Sequence, residues 1–397
     1  MGMFADRMSS VQVSATLKVA AEAERLRRAG HSVVDFSAGE PDFPTPEHVK
    51  AAGKQAIDAN FTRYTPAPGI PELREAICAR YKRQYGVEIT AAEVLLTVGG
   101  KQALFNTALA LYNPGDEVIT HAPYWPTIPE QVKLVGAVPV IVQTGSEDGF
   151  RVSAEAILGK ITPKTKPIIL NSASNPTGAL IEESVVATIA DEAAKRGIWT
   201  VVDLCYEQLI YETVPHNLPK TLFDRNRAKT VLCGSASKSY AMTGWRAGWT
   251  IAPKELTSVF NIIQGQSTSN ISSITQKAVL AAVSGSQDAV TAMLDEYRER
   301  RDNIHAWLTA HPGIQCVKPK GAFYLFPNIS GLLAPGTTST DFAQALLEKE
   351  HVVVTPGEAF DAPGYLRISY ATSMEQLREG ATRILRFAES LQQAATR

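Results

Sequence analysis

The chain has 397 residues, enough for two domains and a large buried core. With 45% hydrophobic and 20% charged residues and a formal net charge of -1, it offers no field that would attract nucleic acid or an anionic membrane, so small molecules are the expected partners. Four scattered cysteines (Cys78, Cys205, Cys233, Cys316) form no C-x-x-C pair and no zinc spacing; they read as buried thiols of a reducing compartment, and no metal is expected. The first ten residues carry Asp6 and Arg7 where a secretory signal needs an apolar core, and no run approaches the length of a membrane span, so a cytoplasmic protein is expected.

From about residue 94 the pattern alternates: a strand over 94–98, a helix over 102–111, a strand over 117–120, a helical stretch to 135 and a strand over 138–142. The βαβ rhythm continues through a strand over 167–170, a helix over 182–196 with Val185, Ile189 and Ala193 four apart, and strands over 199–203 and 230–234. Such a run predicts an α/β fold with a mostly parallel sheet covered by helices. Beyond Gln276 the pattern turns helical, with a charged helix over 295–308 whose Arg298-Glu299-Arg300-Arg301 run is expected to be a solvated face. A smaller α+β unit follows, with strands over 322–326, 352–355 and 366–370 and helices over 340–350 and 374–391. The first forty or so residues are expected to pack with it, giving a large domain over 45–285 and a small one from 1–44 and 286–397.

Chemistry-bearing residues fall at the predicted strand ends, where open α/β sheets bind ligands. Lys238, in Ser235-Ala236-Ser237-Lys238, is either a solvated lysine or one that forms an imine with a cofactor aldehyde. Asp203 closes a strand, with Tyr206 three residues on; its carboxylate either caps the next turn or pairs with a protonated pyridine nitrogen. Asn175-Pro176-Thr177-Gly178 is a turn signal whose amide can reach a phenolic oxygen or a carboxylate. Gly99-Gly100-Lys101 lies between a strand and a helix, and is either a plain turn or, with Ser235 and Arg246, a small phosphate cup. The P-loop and dinucleotide glycine patterns are absent, which argues against ATP and NAD. Arg367 lies in a strand, exposed or forking onto a substrate carboxylate, and Trp125 is either core or a stacking partner for a planar ring.

In this order, these residues resemble the class I family of fold-type I, pyridoxal-phosphate-dependent aminotransferases over about residues 14–385. The likeness is closest to the bacterial aspartate aminotransferases, in the subgroup that includes aspartate/prephenate aminotransferases. It is carried by Ala38-Gly39-Glu40-Pro41-Asp42-Phe43, Arg63-Tyr64, Val98-Gly99-Gly100-Lys101-Gln102-Ala103-Leu104, Pro123-Tyr124-Trp125, Asn175-Pro176-Thr177-Gly178 and Ala241-Met242-Thr243-Gly244-Trp245-Arg246. The resemblance implies a fold-type I large domain with a seven-stranded sheet. It implies that Lys238 forms the internal aldimine with pyridoxal 5'-phosphate, that Asp203 pairs with the ring nitrogen, that Tyr206 and Asn175 bond the phenolic oxygen, and that Trp125 stacks on the ring. Gly99, Gly100, Lys101, Ser235 and Arg246 would hold the phosphate, joined by Tyr64 from the second subunit of a homodimer with shared sites.

The same resemblance gives the substrate α-carboxylate to Arg367, Asn175 and the Gly39 backbone, and the distal carboxylate to Ser14, Thr16 and Lys101. Two neighbours depart from the usual pattern, Ala173 in place of proline and Leu204 in place of glutamate, while Asn175, Asp203 and Tyr206 are kept. The implied reaction is ping-pong transamination of L-aspartate with 2-oxoglutarate, so amino acids and 2-oxo acids are the expected partners. Aromatic, prephenate or alanine transamination and C-S lyase chemistry are the alternatives on the same scaffold.

Overall fold

The computed structural model describes residues 4–11, 23–212 and 216–395. After a short strand β1 (Val34–Asp35), seven strands build the main sheet: β2 (Val94–Thr97), β3 (Glu117–Ala122), β4 (Val138–Gln143), β5 (Thr165–Asn171), β6 (Trp199–Asp203), β7 (Thr230–Ser235) and β8 (Gly248–Ile251). Their order is β2-β8-β7-β6-β5-β3-β4, parallel except that β8 runs against both of its neighbours. This is the mostly parallel seven-stranded sheet that the resemblance implied. The predicted strands of this sheet all form, within two residues of their expected ends.

Successive strand residues face opposite sides, so a run of Val, Ile and Leu is the pattern of a strand covered on both faces. Ile168, Leu170, Val202 and Leu232 enter one apolar cluster, and Ile169, Val201, Val231 and Cys233 the other. Strand β8 was not foreseen: Gly248-Trp249-Thr250-Ile251 is four residues with no alternation, yet all four are buried between β2 and β7.

The carboxyl-terminal strands β9 (Tyr324–Leu325), β10 (Val352–Val353), β11 (Thr355–Pro356) and β12 (Leu366–Ser369) make two small sheets. In one, β1 pairs in parallel with β10, Val34 opposite Val352, and Ala23 and Leu26 pack against Leu347 and Val353. This anchors the segment leading to Gly39 on the carboxyl-terminal elements. The other is the antiparallel order β11-β12-β9, with Ser369 opposite Tyr324.

Two expectations are corrected. The helix Asp288–Thr309 is longer than its charged stretch suggested, and Arg300 and Arg301 are buried on the face it shares with Tyr297, Ile304 and Leu308. Arg300 Nη1 donates to both oxygens of Asp42 at 2.8 and 2.9 Å, and Arg301 Nη1 donates to Pro319 O at 3.0 Å. The helical period places these arginines inward; Asp42, from a distant segment, neutralises Arg300, and the adjacent Asp302 at 2.7 Å with Glu212 at 3.4 Å neutralises Arg301. All four cysteines are free, but only Cys233 is buried; Cys78, Cys205 and Cys316 are partly exposed. Among the described residues no helix is long and apolar enough to cross a membrane.

Candidate active site

Strands β5, β6 and β7 end on one edge of the sheet. Because β8 is antiparallel to both neighbours, β2 ends on that edge and β8 begins there, with Gly248 opposite Thr97 on one side and Ser235 on the other. Only glycine permits this approach: a Cβ at Gly248 would lie 2.6 Å from Gly100 N and 2.8 Å from Gly234 O. Arg246, two residues earlier, is thereby brought to the Gly99-Gly100 turn. Its Nη1 donates to Thr243 O at 2.8 Å and its Nη2 to Val98 O at 3.5 Å.

Gly99 has φ +78°, and a Cβ there would meet Arg246 Nη2 at 2.7 Å. The helix Gly100–Leu111 starts at this point without a side-chain cap, leaving its first N–H groups for a ligand. Ser235 closes the cup, its Cβ 3.4 Å from where a Cβ of Gly100 would sit. The four elements of the predicted cup therefore meet. Lys101 continues that helix; its Nζ lies 5.1 Å from the centre of the half-buried Trp125 ring, and burial with the nearby Arg246 charge lowers its pKa.

Asp203 is buried at the end of β6. Burial raises its carboxyl from 3.8 to about 6, offset in part by the Cys205 N–H, which donates to Oδ1 at 3.0 Å, and by the charge of Lys238. That backbone bond is the turn-capping contact foreseen as one reading; among the described residues it is the carboxylate's one hydrogen bond. Lys238, in the turn after β7, donates from Nζ to Gly39 O at 2.6 Å, and burial lowers its pKa. The Lys238 charge reaches the buried Asp203 carboxylate, so the two groups share one site.

Asn171, which the sequence reading missed, ties the loop to the sheet. Its Oδ1 accepts from Asn175 N–H at 2.9 Å and its Nδ2 donates to Asp203 O at 3.3 Å. Its own N–H donates to His121 Nε2 at 3.3 Å, and burial drops that imidazole to about 4, so it is a neutral acceptor. The strand-end asparagine beside Asp203 in the register was the available signal.

Arg367 on β12 is not an exposed strand arginine but 3% exposed. Its Nη1 donates to Asn175 Oδ1 at 3.1 Å and its Nη2 to Ser37 O at 2.8 Å, while its buried Nε has no partner. A buried guanidinium with a free donor awaits an anion. The Tyr206 hydroxyl lies 2.8 Å from that of Tyr324, a second residue the sequence reading missed. Of the remaining predicted residues, Tyr64 stands apart with its side chain 91% exposed, and Ser14 and Thr16 lie outside the described residues.

The sequence model of the aminotransferase class I and II family matches residues 31–384. The chain belongs to that family. This aminotransferase is 43% identical to the aspartate/prephenate aminotransferase of Cereibacter sphaeroides, over 98% of this chain and 100% of that one. It is 41% identical to the aspartate aminotransferase of Geobacillus stearothermophilus, over 97% and 99%. Among solved structures, the aspartate aminotransferase of Rhizobium meliloti matches with a TM-score of 0.93 at 38% identity, over 98% of this chain and 99% of that one. That of Thermus thermophilus with maleate matches with a TM-score of 0.91 at 41% identity, over 98% and 100%.

The family implies pyridoxal phosphate, and the donor set of this aminotransferase fits it. The glycine-lined cup suits a phosphate, the singly bonded Asp203 carboxylate suits a protonated ring nitrogen, and the Lys238 amine suits an aldehyde.

Proposed function

We propose that the chain transfers the amino group of L-aspartate to 2-oxoglutarate by ping-pong chemistry, with pyridoxal 5'-phosphate held between Asp203, Lys238 and the phosphate cup. The observation that carries this reading is the meeting of three groups: a buried carboxylate with one bond, a lysine of lowered pKa, and a buried arginine with a free donor. Relatives of 41–43% identity named for aspartate support the substrate.

When bound, the cofactor supplies an aldehyde that condenses with amines and a ring that takes up the electron pair left when the α-proton departs. The chain's residues do the rest. Arg367, with its free Nε, and Asn175 hold the substrate α-carboxylate and so fix which bond at the α-carbon stands ready to break. Lys238 Nζ, whose pKa burial lowers, would take the α-proton and return it across the amino nitrogen, two atoms away. Asp203 keeps the ring nitrogen protonated and so acts on charge that develops during proton removal. Lys101, beside Trp125, would meet the distal carboxylate together with Ser14 and Thr16.

The same reading divides the chain into a large domain over 45–285 and a small one from 1–44 and 286–397, supported by the β1–β10 pairing. It makes the enzyme a cytoplasmic homodimer. The exposed Tyr64 and an open cleft of about 710 Å³ beside Arg246, lined by Phe43, Val98 and Trp245, support a partner's tyrosine reaching the phosphate.

The test is the absorption spectrum of the cofactor-loaded protein as L-aspartate, then other amino acids, are added without an acceptor. Conversion of the near-visible band to that of the amine form with aspartate is expected. Conversion with aromatic or monocarboxylic donors alone would remove the substrate, and release of pyruvate and ammonia would replace transamination by lyase chemistry.

A further inference from the structure

Tyr324 is fully buried on β9 and touches three parts of the site at once. Ser369 of β12 lies opposite it, so Arg367, two residues from Ser369 on the same face, is its diagonal neighbour. The Arg367 guanidinium lies 4.5 Å from the centre of the Tyr324 ring. The Tyr324 hydroxyl lies 2.8 Å from that of Tyr206 and 3.3 Å from where a Cβ of Gly39 would be, and Gly39 O accepts from Lys238.

We propose that Tyr324 is a positioning residue that couples the α-carboxylate site to the cofactor: its ring seats Arg367, and its hydroxyl donates to Tyr206 so that the Tyr206 proton is free for the cofactor's phenolic oxygen. The inference rests on the assignment of Tyr206 to that oxygen. Two phenols 2.8 Å apart share one hydrogen bond, and its direction decides the matter. If Tyr206 donates to Tyr324, its proton is used; if Tyr324 donates, it is not. The groups whose charge reaches Tyr324 are Arg367, Tyr206 and the thiol of Cys205. Burial raises both phenols and the Arg367 charge lowers both, but the guanidinium lies over the Tyr324 ring and acts more strongly there, so Tyr206 is left the higher of the two and Tyr324 is the better donor. A carboxylate arriving on Arg367 offsets that charge, weakens the bias, and so is felt at Tyr206.

The experiment is a pH titration of the near-visible absorbance of the holoenzyme for the unmodified chain, Y324F, Y206F and Y206F/Y324F. A donor to the phenolic oxygen favours its anionic form, so weakening the donor raises the midpoint. Y324F is expected to raise it by roughly 0.5 to 1 unit, the size of one neutral hydrogen bond, and the double variant to match Y206F alone. A Y324F titration that coincides with the unmodified one, shifts that add in the double variant, or a Y206F titration that does not move would each overturn the proposal. Failure of the protein to form a near-visible band with pyridoxal phosphate would instead remove the functional reading, and the proposal with it. For the ring, Y324F should bind succinate within threefold of the unmodified enzyme and Y324L about tenfold more weakly. Equal affinity of Y324F and Y324L would overturn that half.

Discussion

Asp203→Asn is expected to stabilise the cofactor-free protein while disabling the enzyme. Burial raises the Asp203 carboxyl from 3.8 to about 6. Below the lower value the group is protonated in the folded and unfolded chains alike. Between the two the unfolded chain releases its proton while the folded chain keeps it, so stability falls as pH rises, and above about 6 the folded protein bears the whole penalty of a buried anion. A difference of about two units corresponds to about 3 kcal/mol. Asparagine keeps the shape and the acceptor for the Cys205 N–H, and removes the charge. Urea unfolding of the apoprotein at pH 8 should therefore find D203N more stable by about 3 kcal/mol, with the difference gone by about pH 3. With pyridoxal phosphate bound the order should reverse, because the protonated ring nitrogen is the partner the anion lacks, and turnover of D203N should fall at least about 100-fold. Equal stability of the two apoproteins at pH 8, or a gap that does not change with pH, would refute this account of the site.

Lys238→Ala should abolish turnover and the borohydride-reducible imine while circular dichroism stays unchanged; a surviving reducible imine would assign the chemistry to another lysine. Arg367→Lys loses the planar fork, and two charge-assisted hydrogen bonds at about 1.5–3 kcal/mol each predict a fall in kcat/KM for aspartate of roughly 10²–10⁴. A loss below tenfold would place the α-carboxylate elsewhere. Glu207 accepts from Arg80 at 2.6 Å and Tyr85 at 2.7 Å, with both side chains of the ion pair 3% exposed, so Glu207→Ala leaves a buried guanidinium unpaired and should destabilise the fold by about 3–5 kcal/mol on a urea curve. Lys101→Ser should reduce kcat/KM for aspartate more than for alanine; equal losses would mean that Lys101 serves the phosphate alone.

The strand-end chemistry was legible because each residue sits beside its own strand. Asp203 closes β6, Ser235 closes β7 with Lys238 three residues on, and the Gly99-Gly100 turn follows β2, so the buried apolar runs also located the site. What each residue touches was not legible, since its partners come from far along the chain. Lys238 meets Gly39 across 199 positions, Arg367 meets Ser37 across 330, and Arg300 meets Asp42 across 258. Local charge density therefore misplaced Arg300, and nothing in Gly321-Ala322-Phe323-Tyr324 separates a site tyrosine from a core one until the β9–β12 register sets it beside Arg367.

The same distinction settles where the two departures from the family pattern act. Leu204 packs in the apolar cluster with Leu170 and Val202, and Ala173 in the one with Tyr206, Leu209 and Phe323. Ala173 Cβ lies 2.6 Å from where a Cβ of Gly321 would be, so that glycine lets the loop before Asn175 close against the segment before Tyr324. Both departures lie in apolar packing, Ala173 in the cluster that holds Tyr206 and Leu204 in the other. Ala173 is therefore the departure able to alter how a predicted site side chain, Tyr206, is aimed, and neither departure changes the charge carried by Asp203, Lys238 or Arg367.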